Sequence, residues 1–529
     1  MSVFRLKNSP LTELIMTQKY DYIIIGSGFG GSVSALRLAE KGYKVLVIEK
    51  GKWYKAKDFP KTNWNFKKWL WLPMFKFFGI MKLTYYRHMA ILSGVGVGGG
   101  SLVYANTLPK PKSKFFETGS WAGLQNWETD LNPFYKTALR MLGAEKNTML
   151  FDSDSTLQSI AKDNGGENNF DTTQVAVFFG DKVNEKHEDP YFDGKGPERT
   201  SCNFCGQCMT GCPNNSKNTL DKNYLHLAQQ LGVEIIAENE VIDVLPVGEN
   251  EYEISFKKST SYFSKTKKVK SKGVVFSGGV LGTVSLLLKL KVKSLPNLSN
   301  MVGKDIRSNN EALITIATPD KQKDFTKGVA IASIYDLDEN SHVEPVRYGR
   351  GSGSWRTLMM PSVNESNLFL RVFKLFFTLI KNPIEWFKIY TVNDFSKQST
   401  TLLFMQNLDS KLQFKKSWFR MSSHIYEGKA PTSFIPEAHE IANKYAEKVN
   451  GKPMSIFSET LTGIPSTAHI LGGAVMGSDA SNGVIDKHNK VFGYANMYVC
   501  DGSMISANPG VNPSLSITAI SERAMSFVE

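Results

Sequence analysis

Residues 20–51 decide the fold and read YDYIIIGSGFGGSVSALRLAEKGYKVLVIEKG. An apolar strand leads into a glycine-rich turn, a helix rich in small residues follows as far as Ala39, and a second apolar strand ends at Glu49. Strand, glycine turn, helix and strand in this order predict a βαβ unit. Such a unit is the nucleotide-binding half of a doubly wound α/β fold.

The glycines of this turn have separate tasks. Gly26 permits a tight turn, Gly28 lets the backbone approach a pyrophosphate, and Gly31 lets the helix pack closely on the strand. The N-terminus of the helix supplies partial positive charge for the phosphates. Glu49 can accept hydrogen bonds from ribose hydroxyls, whereas its charge disfavours a 2′-phosphate. The unit therefore predicts FAD or NAD and argues against NADP.

Distant stretches of chain complete the predicted sheet. GVVFSGGVLGTVSLLLKLK (273–291) repeats the pattern of strand, glycine turn and helix, and residues 222–245 predict a helix and one strand. Near the end of the chain, a strand closes at Asp501 and a helix starts near Ser514. For the second domain we predict an antiparallel sheet that includes STTLLFMQNLD (399–409) and LQFKKS (412–417).

Four motifs, taken in order, carry a family resemblance. They are the glycine turn at Gly26, GVGVGGGSLVYAN (94–106), HILGG (469–473) and DGSMI with NPGVNPSLSITAISERA (501–524). Together they resemble the glucose–methanol–choline (GMC) flavoprotein oxidoreductases, most of all the bacterial cholesterol-oxidase-like branch. The resemblance implies an α/β fold with a Rossmann-like FAD-binding domain and a second, substrate-binding domain.

The resemblance also implies non-covalent FAD and the residues around it. His469 of HILGG and Asn512 of the NPGVNP loop match the positions that face the flavin ring and act on the alcohol in that family. Steroid oxidases of the family add a glutamate base from the middle of the chain, and the sequence does not place its equivalent. The FAD contacts implied are Gly26, Gly28, Gly31, Glu49, Gly98, Gly99, Gly100, Ser101, Asn106, Val241, Asp501 and Gly502.

Four of the five cysteines lie together at Cys202, Cys205, Cys208 and Cys212, followed by Pro213. This spacing is the one by which bacterial ferredoxins hold an iron–sulfur cluster. Tetrahedral zinc and free buried thiols are the other two interpretations. With one [4Fe–4S] cluster, electrons would leave FADH2 through it, which favours a dehydrogenase over an oxidase that reduces oxygen.

Composition and charge bear on location. The lack of a disulfide framework predicts the reducing cytoplasm, the N-terminus shows no export signal, and Met16 is a candidate start. A net charge of +13 without a nucleic-acid-binding module predicts no nucleic-acid partner and suits an anionic membrane surface or an acidic ligand. Two segments, 64–82 and 368–390, are rich in aromatic and basic residues. They are either a pair of core or interface helices or sites of peripheral insertion into the inner face of the membrane.

We therefore predict an FAD-dependent enzyme that oxidises the alcohol of a hydrophobic substrate, such as a sterol or long-chain alcohol, by hydride transfer to flavin. The electron acceptor is oxygen or a one-electron carrier such as a quinone. Lyase or decarboxylase chemistry, or an FAD/iron–sulfur electron-transfer module, are the alternatives.

We predict an FAD-binding domain from 16–60, 88–135, 200–310 and 465–529, a substrate domain from 136–199 and 311–464, and a lid or membrane-contact segment at 61–87.

Overall fold

The computed structural model describes residues 18–408, 410–418 and 420–529. In that part of the chain the α-helices are α1 (Phe29–Glu40), α2 (Phe66–Trp69), α3 (Lys114–Glu117), α4 (Trp127–Met141), α5 (Asp152–Asp163), α6 (Tyr224–Gln230), α7 (Gly279–Lys291), α8 (Leu368–Lys381), α9 (Pro383–Tyr390), α10 (Pro436–Lys448), α11 (Phe457–Thr462) and α12 (Ser514–Ser526). Short 3₁₀ helices lie at Ala56–Asp58, Pro73–Phe75, Gly99–Leu102, Glu167–Asn169, Cys208–Thr210, Leu220–Lys222, Ser354–Leu358 and Gly502–Met504.

The strands fall into several sheets and are numbered in chain order. They are β1 (Lys19–Ile25), β2 (Val45–Ile48), β3 (Trp71–Leu72), β4 (Phe77–Phe78), β5 (Met81–Tyr85), β6 (Ala90–Gly94), β7 (Glu145–Lys146), β8 (Phe170–Thr172), β9 (Gln174–Val175), β10 (Lys186–His187), β11 (Arg199–Thr200), β12 (Glu234–Ile236), β13 (Asn239–Pro246), β14 (Tyr252–Lys258), β15 (Lys267–Phe276), β16 (Ala312–Ala317), β17 (Ser333–Asp336), β18 (Ser341–Val346), β19 (Met359–Pro361), β20 (Ser399–Gln406), β21 (Lys411–Lys416), β22 (Met421–Glu427), β23 (Lys452–Ile456), β24 (Ser466–Thr467) and β25 (Met497–Val499).

The first large sheet contains the predicted βαβ unit. Its parallel strands run in the order β12-β2-β1-β15-β25, and β14 and β13 extend it in antiparallel fashion from the first half of β15. Ile23 and Ile24 in β1 are fully buried although they point to opposite faces, because helices cover both faces of such a sheet. The Rossmann-like fold class is confirmed.

The second large sheet is antiparallel and has the order β19-β23-β16-β20-β18-β17-β8. Helix α10 packs on β16, and the alternate residues Ala312, Ile314 and Ile316 form the core beneath it. The predicted strand at 399–409 is confirmed as β20 of this sheet, although Asp409 lies outside the described residues. The sheet forms one wall of the site described below.

Three details differ from the expectations. LQFKKS (412–417) is not in the large antiparallel sheet, because β21 forms a separate hairpin with β22 and has one further bridge, from Leu412 to Ile306. The single strand expected at 233–245 is two strands, β12 and β13, since Glu238 has a φ of 58° that breaks the extended backbone. Segment 64–82 holds one four-residue helix and short strands, because Pro73 and Gly79 interrupt it.

The predicted domain boundaries stay a prediction, and Met16, the candidate start, lies outside the described residues. Strand β8, from the predicted substrate-domain segment 136–199, joins the antiparallel sheet beside β17. Within the described residues, no helix is both long and apolar enough to cross a membrane.

Candidate active site

A cavity of about 480 Å³ runs between the two large sheets. One end lies at the carboxyl ends of β1 and β2, where doubly wound sheets bind nucleotides. Eight of the twelve FAD contacts expected from the sequence line this cavity, and they are Gly26, Gly28, Glu49, Gly99, Gly100, Val241, Asp501 and Gly502.

Two glycine segments meet at the nucleotide end of this cavity. A Cβ atom on Gly99 would lie 2.7 Å from the Cα atom of Gly28, so any side chain at Gly99 would force the two segments apart. Among the described residues, no side chain caps the N-terminus of α1 at Gly28. The first N–H groups of the helix therefore stay available to a phosphate.

The Glu49 carboxylate is held in place at the end of β2. One oxygen accepts hydrogen bonds from the backbone N–H and the hydroxyl of Ser27, at 3.0 and 2.8 Å, and the other accepts the N–H of Gly51 at 2.8 Å. The carboxylate also lines the cavity, where it can accept hydroxyl groups of a ribose. An uncapped helix, a glycine contact and a fixed acidic side chain together fit the dinucleotide part of FAD.

The other four expected contacts lie behind the cavity wall. A Cβ atom on Gly31 would lie 2.1 Å from the carbonyl oxygen of Gly26, which matches the close helix–strand packing expected there. The Ser101 hydroxyl donates to the carbonyl oxygen of Gly98 at 2.7 Å and so closes the glycine turn. Asn106 is fully buried. These residues shape the wall and do not line the cavity.

His469 lines the cavity and is tied to a carboxylate that the sequence did not single out. Nδ1 of His469 lies 2.9 Å from Oε1 of Glu311. Glu311 also accepts the Thr467 hydroxyl at 2.8 Å and the Ala468 N–H at 3.2 Å. Because Glu311 acts as an acceptor for all its partners, Nδ1 of His469 carries the proton, and Nε2 is left with its lone pair.

Asn512 lies between His469 and a second buried glutamate. One end of its side-chain amide is 3.4 Å from Nε2 of His469. The other end lies 3.1 and 3.3 Å from the two carboxyl oxygens of Glu344. The sequence analysis missed both Glu311 and Glu344. Each is an isolated acidic residue at or inside an apolar strand, a weak signal that pointed to no function on its own.

The electrostatics of this cluster are unusual because Glu311, Glu344 and Asn512 are buried, whereas the side chain of His469 is 12% exposed. Burial, together with the nearby charge of Glu311, raises the pKa of Glu344 to about 8. Burial lowers the pKa of the neighbouring His342 to about 3, so His342 is neutral and provides no positive charge. Glu344 is therefore protonated near neutral pH, whereas Glu311 has three donors around it.

The remainder of the cavity is an apolar chamber next to His469. Strands of the antiparallel sheet and the loops next to them form the walls of this chamber. The side chains are Leu313, Ile331, Val346, Leu403, Tyr348, Trp355, Met359 and Ile456. Such a chamber suits the apolar body of a ligand whose polar group reaches His469 and Asn512.

The four clustered cysteines surround a second, much smaller cavity. Its volume is about 10 Å³, which is room for a single water molecule. Burial raises the pKa of Cys205 to about 12 and also raises that of Cys202 and Cys208, so without a bound cation these thiols are protonated. In the described part of the chain, no group of three or more histidine, cysteine, aspartate or glutamate side chains is arranged to hold a metal ion.

The loop in this arrangement does not fit an iron–sulfur cluster or zinc. It is nevertheless tied to the FAD cradle through Lys217. The ammonium group of Lys217 donates to the carbonyl oxygens of Leu102, Tyr104 and Cys208, at 3.2, 2.9 and 2.8 Å. These bonds join the cysteine loop to the glycine segment that lines the large cavity.

Comparisons with known proteins agree with this geometry. Family models described as GMC oxidoreductase match residues 196–305 and 412–521, and a model of an NAD(P)-binding Rossmann-like domain matches residues 24–52. A pyridoxine 4-oxidase from Mesorbium loti has a similar structure, with a TM-score of 0.60, 13% identity, and coverage of 96% of this chain and 99% of that one. At this identity the structural match shows the fold alone.

Similarity to proteins of known activity covers almost the full chain. A cholesterol oxidase of Acinetobacter baumannii is 41% identical, over 96% of this chain and 94% of that protein. A cholesterol oxidase of Mycobacterium tuberculosis is 39% identical, over 97% of this chain and 91% of that protein. A long-chain-alcohol oxidase of Arabidopsis thaliana is 22% identical, over 94% of this chain and 65% of that protein. The chain therefore belongs to the GMC oxidoreductase family and is an FAD-dependent oxidoreductase that acts on alcohols.

Proposed function

We propose that this enzyme oxidises the hydroxyl group of a hydrophobic alcohol, such as a sterol or a long-chain alcohol, to a carbonyl, with oxygen as the electron acceptor. The observation that carries the proposal is the position of His469 and Asn512, where the nucleotide cradle meets the apolar chamber. The names of the cholesterol and long-chain-alcohol oxidases to which the chain is similar support the same substrate class and acceptor. No observation favours lyase, decarboxylase or pure electron-transfer chemistry.

FAD, when bound between Glu49 and His469, supplies the acceptor for the hydride that leaves the carbinol carbon. The protein provides the proton chemistry. Nε2 of His469 can accept the hydroxyl proton, and the Glu311 carboxylate at Nδ1 stabilises the positive charge that then develops on the ring. The Asn512 amide can hold the substrate oxygen within hydrogen-bond reach, so proton removal and hydride departure occur on one oriented carbinol.

Anaerobic reduction of the flavin by a panel of alcohols tests this proposal. We expect long-chain alcohols and sterols to bleach the flavin absorbance faster than short alcohols such as ethanol, because only the former fill the apolar chamber. Readmission of oxygen should restore the absorbance and release hydrogen peroxide. A flavin that no alcohol reduces would overturn the proposal, and one that only short polar alcohols reduce would overturn the substrate class.

We also propose peripheral contact with a membrane, which would bring such a substrate to the enzyme. Helix α8 exposes the apolar side chains of Phe369, Phe373, Phe376 and Ile380, spaced so that they share one face. Its opposite face is anchored, since the buried Arg371 guanidinium donates to four backbone carbonyl groups. A continuous apolar face of this kind marks an interaction surface.

The surroundings of this face favour an anionic lipid surface. Lys374, Lys381 and Lys388 are exposed on the same pair of helices, α8 and α9, and the whole chain carries a net charge of +13. The pair also lies close to the chamber, because the Tyr390 hydroxyl of α9 donates to the carbonyl oxygen of Met359 at 3.0 Å. Met359 lines the chamber, so these helices adjoin one of its walls.

An iron–sulfur cluster at the four cysteines stays a prediction and is not part of the proposed reaction. The small cavity and the protonated thiols favour the interpretation as free buried thiols. Iron and zinc analysis of anaerobically purified protein tests it, with about four iron atoms per chain expected for a [4Fe–4S] cluster and none for free thiols.

A further inference from the structure

The apolar chamber has two polar groups in its wall, the hydroxyl of Tyr348 and the indole N–H of Trp355. Both rings line the chamber, with centroids 6.4 Å apart and a tilt of 55°. The N–H group of Trp355 is buried and has no hydrogen-bond partner in the described part of the chain. The other side chains that form the chamber, given above, are apolar. This polar pair therefore needs a physical explanation.

The backbone fixes Tyr348 at this place. Alternate residues of an extended chain point to the same side, and Val346 and Tyr348 both line the cavity at the end of β18. Arg347 between them turns to the other side, where its buried guanidinium pairs with the fully buried Asp154 at 2.5 Å. The backbone N–H of Arg347 donates to the carbonyl oxygen of Ala330 at 3.0 Å. The Tyr348 ring is therefore held in the chamber wall.

Trp355 is held in the same wall by a second aromatic ring. It lies in the 3₁₀ helix Ser354–Leu358 and packs edge to face on Trp69, with ring centroids 5.3 Å apart. Trp355 is 9% exposed. An indole N–H that is buried without an acceptor costs free energy, because it gives up its hydrogen bond to water. A bound molecule that provides an acceptor at this point would offset that cost.

The two groups can act on a bound molecule together. Burial raises the pKa of Tyr348 to about 12, and the nearby Trp355 side chain counteracts this effect in part. The Tyr348 hydroxyl therefore keeps its proton at neutral pH. The Trp355 N–H is a donor only, so when it donates to the Tyr348 oxygen, the hydroxyl proton is left to point into the chamber. The matching group on the bound molecule is a hydrogen-bond acceptor.

The position of this pair shows which part of a substrate reaches it. Glu344 on β18 lies beside Asn512, at the end of the chamber where the alcohol is oxidised in the proposed reaction. Tyr348 follows four positions later, which is about 13 Å along an extended chain. The pair is therefore remote from the reacting hydroxyl. None of the side chains that form the chamber is charged, so an ionised acceptor such as a carboxylate does not suit it.

We propose that Tyr348, supported by Trp355, binds a second, neutral oxygen atom of the substrate, a keto or hydroxyl oxygen at the end of the apolar body remote from the reacting alcohol. This inference rests on the proposed function and narrows its substrate class. A substrate with such an oxygen satisfies the hydroxyl and the buried N–H. An alcohol without it leaves the N–H unbonded, so the enzyme should bind it more weakly.

Two matched pairs of alcohols test the proposal by anaerobic stopped-flow reduction of the flavin. Dehydroepiandrosterone, a steroid alcohol with a ketone at the far end of its rings, is compared with its analogue that lacks the ketone. A decanediol with one hydroxyl at each end is compared with decanol. In at least one pair, we expect the alcohol with the second oxygen to saturate at about three- to tenfold lower concentration, the scale of one net hydrogen bond. The pair that responds distinguishes a rigid ring system from a flexible chain.

Tyr348→Phe removes the hydroxyl and leaves the ring. It should raise the half-saturating concentration of the alcohol with the second oxygen by about three- to tenfold and leave its limiting rate, and both constants of the plain alcohol, unchanged. Trp355→Phe, which lacks the N–H, should reduce the preference as well. Tyr86→Phe is the matched control and should keep the preference. The pKa of Tyr86 is also raised to about 12 by burial, but its ring packs on Phe414 at 4.9 Å, outside the chamber.

The absence of a preference in both pairs, or a preference that Tyr348→Phe retains, would overturn the proposal. Equally weaker binding of both members of a pair in Tyr348→Phe would also overturn it, because it would show a packing role only. If Tyr348→Phe does not fold, Trp355→Phe decides by the same comparison. A flavin that no alcohol reduces would instead overturn the proposed function. A steroid ketone without a hydroxyl group, titrated by the change in flavin absorbance, would then still test Tyr348, since it should bind more weakly to Tyr348→Phe than to the wild type.

Discussion

At the residue scale, the site depends on side chains whose partners lie far away in the sequence. The motifs HILGG and NPGVNP predict His469 and Asn512, although NPGVNP follows β25 of the first sheet and HILGG follows β24 of a separate three-stranded sheet. Glu311 lies 158 positions before His469, and only the packing of the antiparallel sheet brings the two together. The sequence therefore predicts the base but not the carboxylate that fixes its tautomer.

Replacement of His469 by alanine tests the role of the base. We expect the variant to retain FAD, because His469 makes no contact with the glycine segments or with Glu49. Turnover with a long-chain alcohol should fall by about 100- to 10,000-fold, the usual scale for lost acid–base help. Stopped-flow flavin reduction measures this step, and flavin absorbance after gel filtration checks retention.

Glu311→Gln is the companion variant at the same scale. Its amide oxygen still accepts from Nδ1 of His469, but the negative charge that stabilises the imidazolium is gone. We expect a loss smaller than that of His469→Ala. An unchanged rate in His469→Ala would remove the histidine from the proposed mechanism, whatever the result for Glu311→Gln.

At the element scale, a regular pattern can be predicted and an interrupted one cannot. The βαβ unit and α7 follow from apolar runs and glycine turns, and their bounds lie close to those expected. Segment 368–390 forms the helices α8 and α9, whereas segment 64–82, of similar composition, is cut by Pro73 and Gly79 into short pieces. Composition suggested a shared role for both segments, but only the structure shows that α8 leaves one apolar face uncovered.

The exposed face of α8 predicts binding to anionic vesicles. We expect the protein to sediment with liposomes that contain phosphatidylserine, and salt to release it only in part, since apolar insertion is not screened. The double variant Phe373→Ser, Phe376→Ser should bind at least about tenfold more weakly, because full burial of one phenylalanine contributes about 1.5–3 kcal/mol. Flavin content and reduction by a detergent-dispersed alcohol should stay unchanged.

Val292→Ser is the matched control for that experiment, because Val292 is 66% exposed at the end of α7, away from this pair of helices. It should bind vesicles like the wild type. If the wild type does not sediment at low salt, the membrane proposal is wrong. A dimer in solution that the double variant converts to a monomer would assign the apolar face to a second copy of the chain.

At the scale of the whole molecule, two sheets enclose one cavity, and neither sheet is continuous in the chain. The class of fold follows from the sequence because buried parallel runs and a glycine turn predict the first sheet, and the family resemblance implies the second domain. The way the sheets interleave does not follow, because pairings such as β8 with β17 join residues more than 160 positions apart. The domain boundaries predicted from motifs therefore stay a prediction.

Burial of ionisable groups is a second property of the whole molecule, and it makes stability depend on pH. The pKa of Glu459 is raised to about 8, so the folded state keeps a proton that the unfolded chain loses near 4.5. The stabilising effect of that proton is complete below 4.5 and is lost as the pH rises to about 8. Lys217, whose pKa is lowered to about 7, has the opposite effect. Above pH 7 it makes the folded protein more stable as the pH rises.

Because such groups oppose each other, the difference between two variants isolates one of them. Relative to the wild type, Glu459→Gln should gain stability with rising pH by up to about 1.4 kcal/mol per pH unit, and the gain should level off near pH 8. Urea unfolding of the FAD-saturated proteins at several pH values measures this difference. Glu447→Gln, at an exposed position, is the control for the exchange of a carboxyl group for an amide. A flat difference for Glu459→Gln would mean that Glu459 is ionised in the folded protein, and that burial in this core does not suffice to keep a carboxyl group neutral.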